Sequence, residues 1–204
     1  MNHGLPVDLA AVAAGEAPAV ARLRASLLAA ASADGLIDVA YRVVESPVGP
    51  LLLAGTEAGL VRVAFAREGH DAVLAALAST VSPRILRAPA RLDEAARELD
   101  EYFAGRRRRF ELPLDFRLAG GFRREVLAHL PEIGYGHTAS YAAVAALTSS
   151  PRAVRAVGTA CARNPLPLVV PCHRVVRSDG SRGAYVGGAE AKALLLDLEA
   201  APPR

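Results

Sequence analysis

The sequence predicts an α/β plus α protein: a small antiparallel sheet with two helices, then a helical half that contains a helix-turn-helix. Three observations predict it. Apolar runs of strand length, separated by turn residues, fill positions 37 to 65. Apolar residues at helical spacing follow from about 71 and dominate beyond 121. A proline-bounded Cys-His segment then interrupts the helices near position 172.

Composition sets the frame for these elements. With 204 residues, 52% of them hydrophobic, the chain has material for one large core or two smaller ones. No apolar stretch approaches the ~20 residues of a membrane span. The start, Met1-Asn2-His3-Gly4, shows neither a basic region nor a secretory hydrophobic segment, so a soluble cytoplasmic protein is expected. The two cysteines, Cys161 and Cys172, are too few for a disulfide framework. Their spacing and the scattered histidines give no zinc pattern, so no metal is expected. Charge is uneven. Residues 1–115 carry 13 Lys/Arg against 15 Asp/Glu, and residues 116–204 carry 11 against 6. The carboxy-terminal half is therefore the one suited to an anionic partner, with ordinary surface variation as the alternative.

Taken in order, residues 1–35 are an alanine-rich extension in which Ala17 to Ala31 predicts a helix closed by Asp34-Gly35. Ile37–Val44, Leu51–Ala54 and Leu60–Phe65 predict an antiparallel meander around Pro47-Val48-Gly49-Pro50 and Thr56-Glu57-Ala58-Gly59. Helices are predicted near Asp71–Ser79 and Leu92–Phe103; in the second, Leu92, Ala95, Ala96, Leu99 and Phe103 share one face. Gly105 ends it. Arg106 to Arg109 reads as a solvated connector, with a nucleic-acid patch as the alternative. An extended segment Leu112–Leu118 and Gly120-Gly121 lead into the second half. There Phe122, Val126, Leu127 and Leu130 form one apolar helix face, and Ile133-Gly134-Tyr135-Gly136 is a turn. Ser140 caps a short helix to about Leu147, and Ser150-Pro151 starts the next with serine as N-cap and proline at the first position. Two short helices across a tight turn make a helix-turn-helix candidate.

On that second helix, Arg152, Arg155, Ala156, Thr159 and Arg163 gather on one side at about 100° per residue, while Val154, Val157 and Cys161 lie opposite. Small residues between cations let a helix approach a nucleic-acid backbone closely. The alternative is a plain amphipathic surface helix. The same wheel buries Cys161 as an inert thiol.

The segment Asn164-Pro165-Leu166-Pro167-Leu168-Val169-Val170-Pro171-Cys172-His173-Arg174-Val175-Val176 follows. Leu168–Val170 predicts a buried strand-like entry that delivers Cys172 to a rigid turn, tied by side-chain hydrogen bonds from Asn164. A thiol attacks as its thiolate, so its pKa is expected to be lowered by a nearby base or cation, and His173 and Arg174 are adjacent in sequence.

From here the sequence resembles the O6-alkylguanine-DNA alkyltransferase (methylated-DNA–protein-cysteine methyltransferase) family. Arg155-Ala156-Val157-Gly158, Asn164-Pro165, Pro171-Cys172-His173-Arg174-Val175, Tyr185-x-Gly187-Gly188 and Lys192 carry the likeness. Tyr135-Gly136-x-Thr138-x-Ser140-Tyr141 and Ser46-Pro47-Val48-Gly49-Pro50 extend it to roughly residues 37–200. It implies a small α/β roll over 36–115 and a winged-helix-like domain over 116–204. It also implies a single-turnover methyltransferase for DNA repair, without a cofactor, that takes the alkyl group of O6-alkylguanine irreversibly onto Cys172. His173 would act as base through a water, Glu199 would orient it, and Tyr141 would protonate the departing guanine. For Glu199 the alternative is a solvated terminal carboxylate, and for Tyr141 simple packing. A base must leave the duplex to meet a buried sulfur. The resemblance implies that Arg155 fills the vacated stack and that Tyr141 crowds the adjacent phosphate. The helix would lie in the minor groove of double-stranded DNA with little sequence preference. Pro167, Val175, Tyr185, Val186 and Gly187 would line the guanine and alkyl pocket. A monomer with no membrane partner is expected.

The sequence departs from the family pattern at Val186, usually Gly or Ser, at Arg177, usually small, and at Arg123, which replaces a common Gln. Two other classes fit parts of the sequence. A non-catalytic lesion binder would lack Cys172. A cysteine hydrolase using Cys172, His173 and Glu199 would need an oxyanion hole and a water route.

Overall fold

The computed structural model describes residues 19–201 except positions 21, 24, 28, 32 and 33. They fall into two units, one within residues 1–38 and one from Val39 onward. In the first unit the described positions between 19 and 31 are helical. Asp34 N–H donates to the Ala30 carbonyl and Leu36 N–H to that of Ala31, with Gly35 at φ 64° in the turn. The expected start of this helix at Ala17 lies outside the described residues.

The second unit opens with β1 (Val39–Val44), β2 (Leu51–Thr56) and β3 (Gly59–Phe65), the antiparallel meander that the apolar runs predict. Val44 faces Leu51, and Leu51 in turn faces Phe65. A fourth strand, β4 (Ile85–Arg87), pairs parallel to β1, so the sheet is mixed, in the order β3-β2-β1-β4. Three residues give too short a period to read, which is why the sequence pattern omits this strand.

Side chains alternate across β2, and both faces are covered. Leu52 and Ala54 pack with Val39, Val61 and Ala64 under Val73 and Leu77 of α1 (His70–Thr80). Leu51 and Leu53 join the larger core, which continues through α2 (Asp93–Phe103) and on to the carboxy-terminal helices. On α2 the buried set is wider than the apolar stripe, since Glu98 and Tyr102 are buried beside Ala95, Ala96 and Leu99. Glu98 faces Arg107 Nη1 at 3.1 Å and accepts from Glu111 N–H at 2.9 Å. The arginine run is thus not simply solvated. Arg107 is half-buried in an ion-pair network with Glu98 and Glu101, while Arg106, Arg108 and Arg109 are exposed.

Of the extended segment Leu112–Leu118, only Leu114 bridges to Leu60, and Phe116–Leu118 turn into a 3-10 helix. Beyond it, α3 (Gly121–His129) buries Val126 and Leu127, and Leu130 just past its end is buried too. The helix-turn-helix consists of α4 (Tyr141–Ala146) and α5 (Val154–Ala162). Ser140 caps α4, its Oγ accepting from Ala143 N–H at 3.0 Å. Ser150-Pro151 does not cap α5. Ala153 N–H closes a turn on the Ser150 carbonyl, and the helix starts at Val154. Val154 is consequently exposed, at 38%, and the buried face is Val157, Ala160 and Cys161. The last helix is α6 (Ala189–Ala200), which buries Ala191, Lys192, Leu195 and Glu199.

Candidate active site

The approach to Cys172 is a chain of turns, not a strand. Val170 N–H donates to the Leu166 carbonyl and Cys172 N–H to that of Val170, both at 2.8 Å. Leu168 sits at φ 74°, a left-handed conformation unusual for a branched residue and held here by complete burial. Asn164 organises the turn from inside. Its Oδ1 accepts from Leu166 N–H at 2.9 Å, and its Nδ2 donates to the Val170 carbonyl at 2.8 Å and to Cys172 Sγ at 3.1 Å. Cys172–Arg174 then form a single 3-10 turn, and β6 (Val175–Val176) pairs parallel with β5 (Ala139–Ser140). This pairing sets the first turn of α4, with Tyr141, beside the cysteine turn. A Cβ added at Gly183 would lie 3.1 Å from the Tyr141 hydroxyl, so the 177–188 loop closes over that side.

Cys172 is buried, and burial pushes its thiol up to about 11, although the Asn164 donor and the Lys192 charge work the other way. This corrects the expectation of a lowered pKa. Sequence adjacency does not place a cation on the sulfur, because Arg174 turns away to Glu199 and the Ile133 carbonyl. The resting side chain is a thiol. Cys161 on the buried face of α5 is pushed up further, to about 12, again by burial.

His173 is fully buried, with Nε2 2.9 Å from Glu199 Oε1. Burial lowers its pKa against the opposing pull of Glu199, so the neutral ring donates through Nε2. Nδ1 is then a buried acceptor with no hydrogen-bond partner among the described residues. Glu199 is not a solvated terminal carboxylate. It is 4% exposed and accepts from Tyr102 OH at 2.7 Å, from Arg174 Nε at 2.9 Å and Nη2 at 3.0 Å, and from Gly136 N–H at 3.2 Å. Burial pushes its carboxyl up, but the hydrogen bonds from His173 and Arg174, with the Arg174 charge, hold it down at about 2. Gly136, at φ 75°, has no room for a side chain, since a Cβ would lie 2.9 Å from the Glu199 carbonyl oxygen.

Of the residues expected to line a pocket, Tyr185 makes an edge contact with the His173 ring at 6.1 Å and with Phe65 at 5.6 Å. Pro167 and Val175 are buried, and Val186 and Gly187 are half-buried. A Cβ at Gly187 would meet the Phe65 ring at 2.6–2.9 Å, so glycine is required for the loop to lie there. Arg155, Ala156 and Thr159 lie on the exposed face of α5, Arg163 is exposed just past its end, and Arg152 is exposed in the turn before it. Sequence reasoning missed Tyr102, Arg174 and Gly136 as partners of Glu199, and Lys192, whose buried ammonium donates to the Val175 carbonyl at 2.6 Å. Gly136, Arg174 and Lys192 left a signal, in the motifs that contain them; Tyr102 left none. No cluster of three or more His, Cys, Asp or Glu suited to a metal occurs among the described residues, nor is any helix there long and apolar enough to cross a membrane.

Fold and site together define a class: a helix-turn-helix protein built around one buried cysteine and a histidine–carboxylate pair. The models of the 6-O-methylguanine DNA methyltransferase ribonuclease-like domain and DNA binding domain match residues 39–116 and 121–201. A methylated-DNA–protein-cysteine methyltransferase of Methanosarcina barkeri is 40% identical over 159 residues, covering 78% of this chain and 96% of its own. A constitutive one of Bacillus subtilis is 39% identical over 160 residues, covering 78% and 94%. The crystal structure of Mycobacterium tuberculosis OGT in complex with DNA superposes with a TM-score of 0.66 at 36% identity, covering 78% and 92%. The chain belongs to the 6-O-methylguanine DNA methyltransferase family.

Proposed function

We propose that this protein repairs DNA by direct reversal, moving the alkyl group of O6-alkylguanine onto Cys172. The observation that carries the reading is the buried Cys172 thiol, with Asn164 Nδ2–H on its sulfur and a His173–Glu199 pair beside it.

His173 Nδ1 takes the thiol proton through a bridging water, which suits a thiol that rests protonated. The sulfur attacks the alkyl carbon; the S–C bond forms as the C–O6 bond breaks, and the electron pair leaves on guanine. Glu199 stabilises the resulting imidazolium, and the Asn164 donor steadies the sulfur while it is anionic. Tyr141 supplies the proton to guanine; burial raises its pKa, which keeps the donor loaded at neutral pH. The thioether is stable, so one molecule repairs one lesion.

The partner is duplex DNA, met in the minor groove through the outer face of α5. Arg155 is exposed there, with Arg152 and Arg163 exposed at either end of the helix, and Ala156 and Thr159 keep the surface low between them. Backbone contact makes binding salt-dependent and nearly sequence-independent. Arg155 holds the flipped state, and Pro167, Val175, Tyr185, Val186 and Gly187 receive the base. The protein acts as a monomer, with the 36–115 roll supporting a 116–204 catalytic domain and residues 1–35 as an extension.

Intact mass spectrometry after mixing with O6-methylguanine duplex DNA tests this. One added methyl group, mapped to the Cys172 peptide and absent from Cys161, is the expected result. Label on Cys161, or no transfer at all, refutes it, and Cys172→Ser is expected to bind DNA without transfer.

A further inference from the structure

We propose that Tyr102, contributed by the sheet-bearing part of the chain, is a positioning residue that sets the basicity of His173 by donating to the Glu199 oxygen that His173 also uses. The proposal rests on the reading of Cys172 as alkyl acceptor and His173 as its base.

Glu199 Oε1 receives Tyr102 OH at 2.7 Å, His173 Nε2 at 2.9 Å and Arg174 Nη2 at 3.0 Å. Oε2 receives Arg174 Nε at 2.9 Å and Gly136 N–H at 3.2 Å. A carboxylate offers about four acceptor positions, so five donors share them, and Tyr102 competes with His173 for the same oxygen. The hydroxyl is not needed to place the ring. Tyr102 is fully buried, with edge contacts to Phe103 at 5.3 Å and Tyr135 at 6.1 Å and a tilted contact to Phe110 at 5.3 Å. Phenylalanine would fill that space. A buried O–H aimed at the carboxylate behind the base therefore points to a chemical role.

The direction of that role follows from electrostatics. A short hydrogen bond to Oε1 draws charge from it, so the carboxylate stabilises an imidazolium less and takes the Nε2 proton less readily. Both effects keep His173 neutral at rest, with Nε2–H toward Glu199 and Nδ1 open to accept the Cys172 proton. Other groups facing the pair act alongside. Arg174 and Lys192 add positive charge that opposes imidazolium formation. Tyr135, with Arg108 over its ring, lies on the carboxylate side, and Tyr185 and Cys172 lie on the histidine side. Among these only Tyr102 binds Oε1 as a neutral donor, so its removal changes hydrogen bonding without changing net charge.

The test is the pH dependence of single-turnover transfer from O6-methylguanine duplex DNA, for the native chain, Tyr102→Phe, and a chain carrying 2,3,5-trifluorotyrosine at position 102. The acid limb of the rate reports protonation of the base. Tyr102→Phe is expected to move that limb up by roughly half to one pH unit, a three- to tenfold slowing on the limb with the high-pH plateau retained. Trifluorotyrosine, a stronger donor of nearly the same size, is expected to move it down. A packing role alone would lower the rate equally at every pH. Unmoved limbs, or limbs moved in the same direction by both changes, overturn the proposal. If Tyr102→Phe does not fold, the trifluorotyrosine chain decides alone, its limb moving down or not. Failure of the native chain to transfer at any pH would instead refute the proposed function.

Discussion

Replacing Glu199 by glutamine keeps the shape of the side chain and removes the charge on which four residues converge. Its carboxyl lies at about 2 in the folded protein, against 4.5 for an unperturbed glutamate. A depression of that size corresponds to about 3 kcal/mol of stability at 1.36 kcal/mol per unit. An independent route gives a similar figure. Arg174 is 6% exposed, and leaving a buried guanidinium without its counter-charge costs about 3–5 kcal/mol. For a chain of this length, each kcal/mol shifts the melting temperature by about 2–4 °C, so Glu199→Gln is expected to melt roughly 10 °C below the native protein at pH 7. The sign of the pH dependence follows from the depressed pKa. The contribution is fully present above about 4.5 and is lost as pH falls toward 2, whereas the glutamine variant has nothing to lose in that window. Urea unfolding from pH 7 down to about pH 3 should therefore show a gap that narrows below pH 4.5. A midpoint within about 2 °C of native at pH 7, or a gap independent of pH, would refute the reasoning that Glu199 is a buried anion held by its donors.

Two further substitutions test the DNA face and the pocket. Arg155→Ala should slow transfer on duplex DNA by roughly tenfold or more, because holding a base unstacked costs a few kcal/mol, while leaving the free base O6-methylguanine nearly unaffected; equal slowing on both substrates would make Arg155 a fold or pocket residue. Val186 is half-buried against the core beside Tyr185, and its branched side chain stiffens that wall. Benzylguanine is thus expected to react more slowly than methylguanine, with Val186→Gly narrowing the gap; an unchanged benzyl-to-methyl ratio would show that the side chain does not border the alkyl group.

Much of this protein is legible within short windows of its sequence. The meander strands, the helix face of Val126, Leu127 and Leu130, the Ser140 cap and the Asn164–Cys172 turn all depend on neighbours within about ten residues, where periodicity and turn chemistry are readable. The start of α5 shows the limit of such rules. Ser150-Pro151 has the composition of a helix cap, yet its backbone closes a turn and the helix begins three residues later, turning Val154 outward. The short parallel strand β4 leaves no period to read.

What the sequence by itself determined is the Asn164–Cys172 turn, the family and most of the helix faces, because each is written in residue types at fixed local spacing. Only the tertiary structure decided the electrostatics of the site. The Tyr102 hydroxyl and Glu199 are 97 residues apart, and Gly136 N–H and Glu199 are 63 apart, so no window contains the network that anchors His173. The same holds for Cys172. Its neighbours in sequence suggested a depressed pKa, but burial raises the thiol to about 11, because desolvation depends on which elements close over a group and not on which residues flank it.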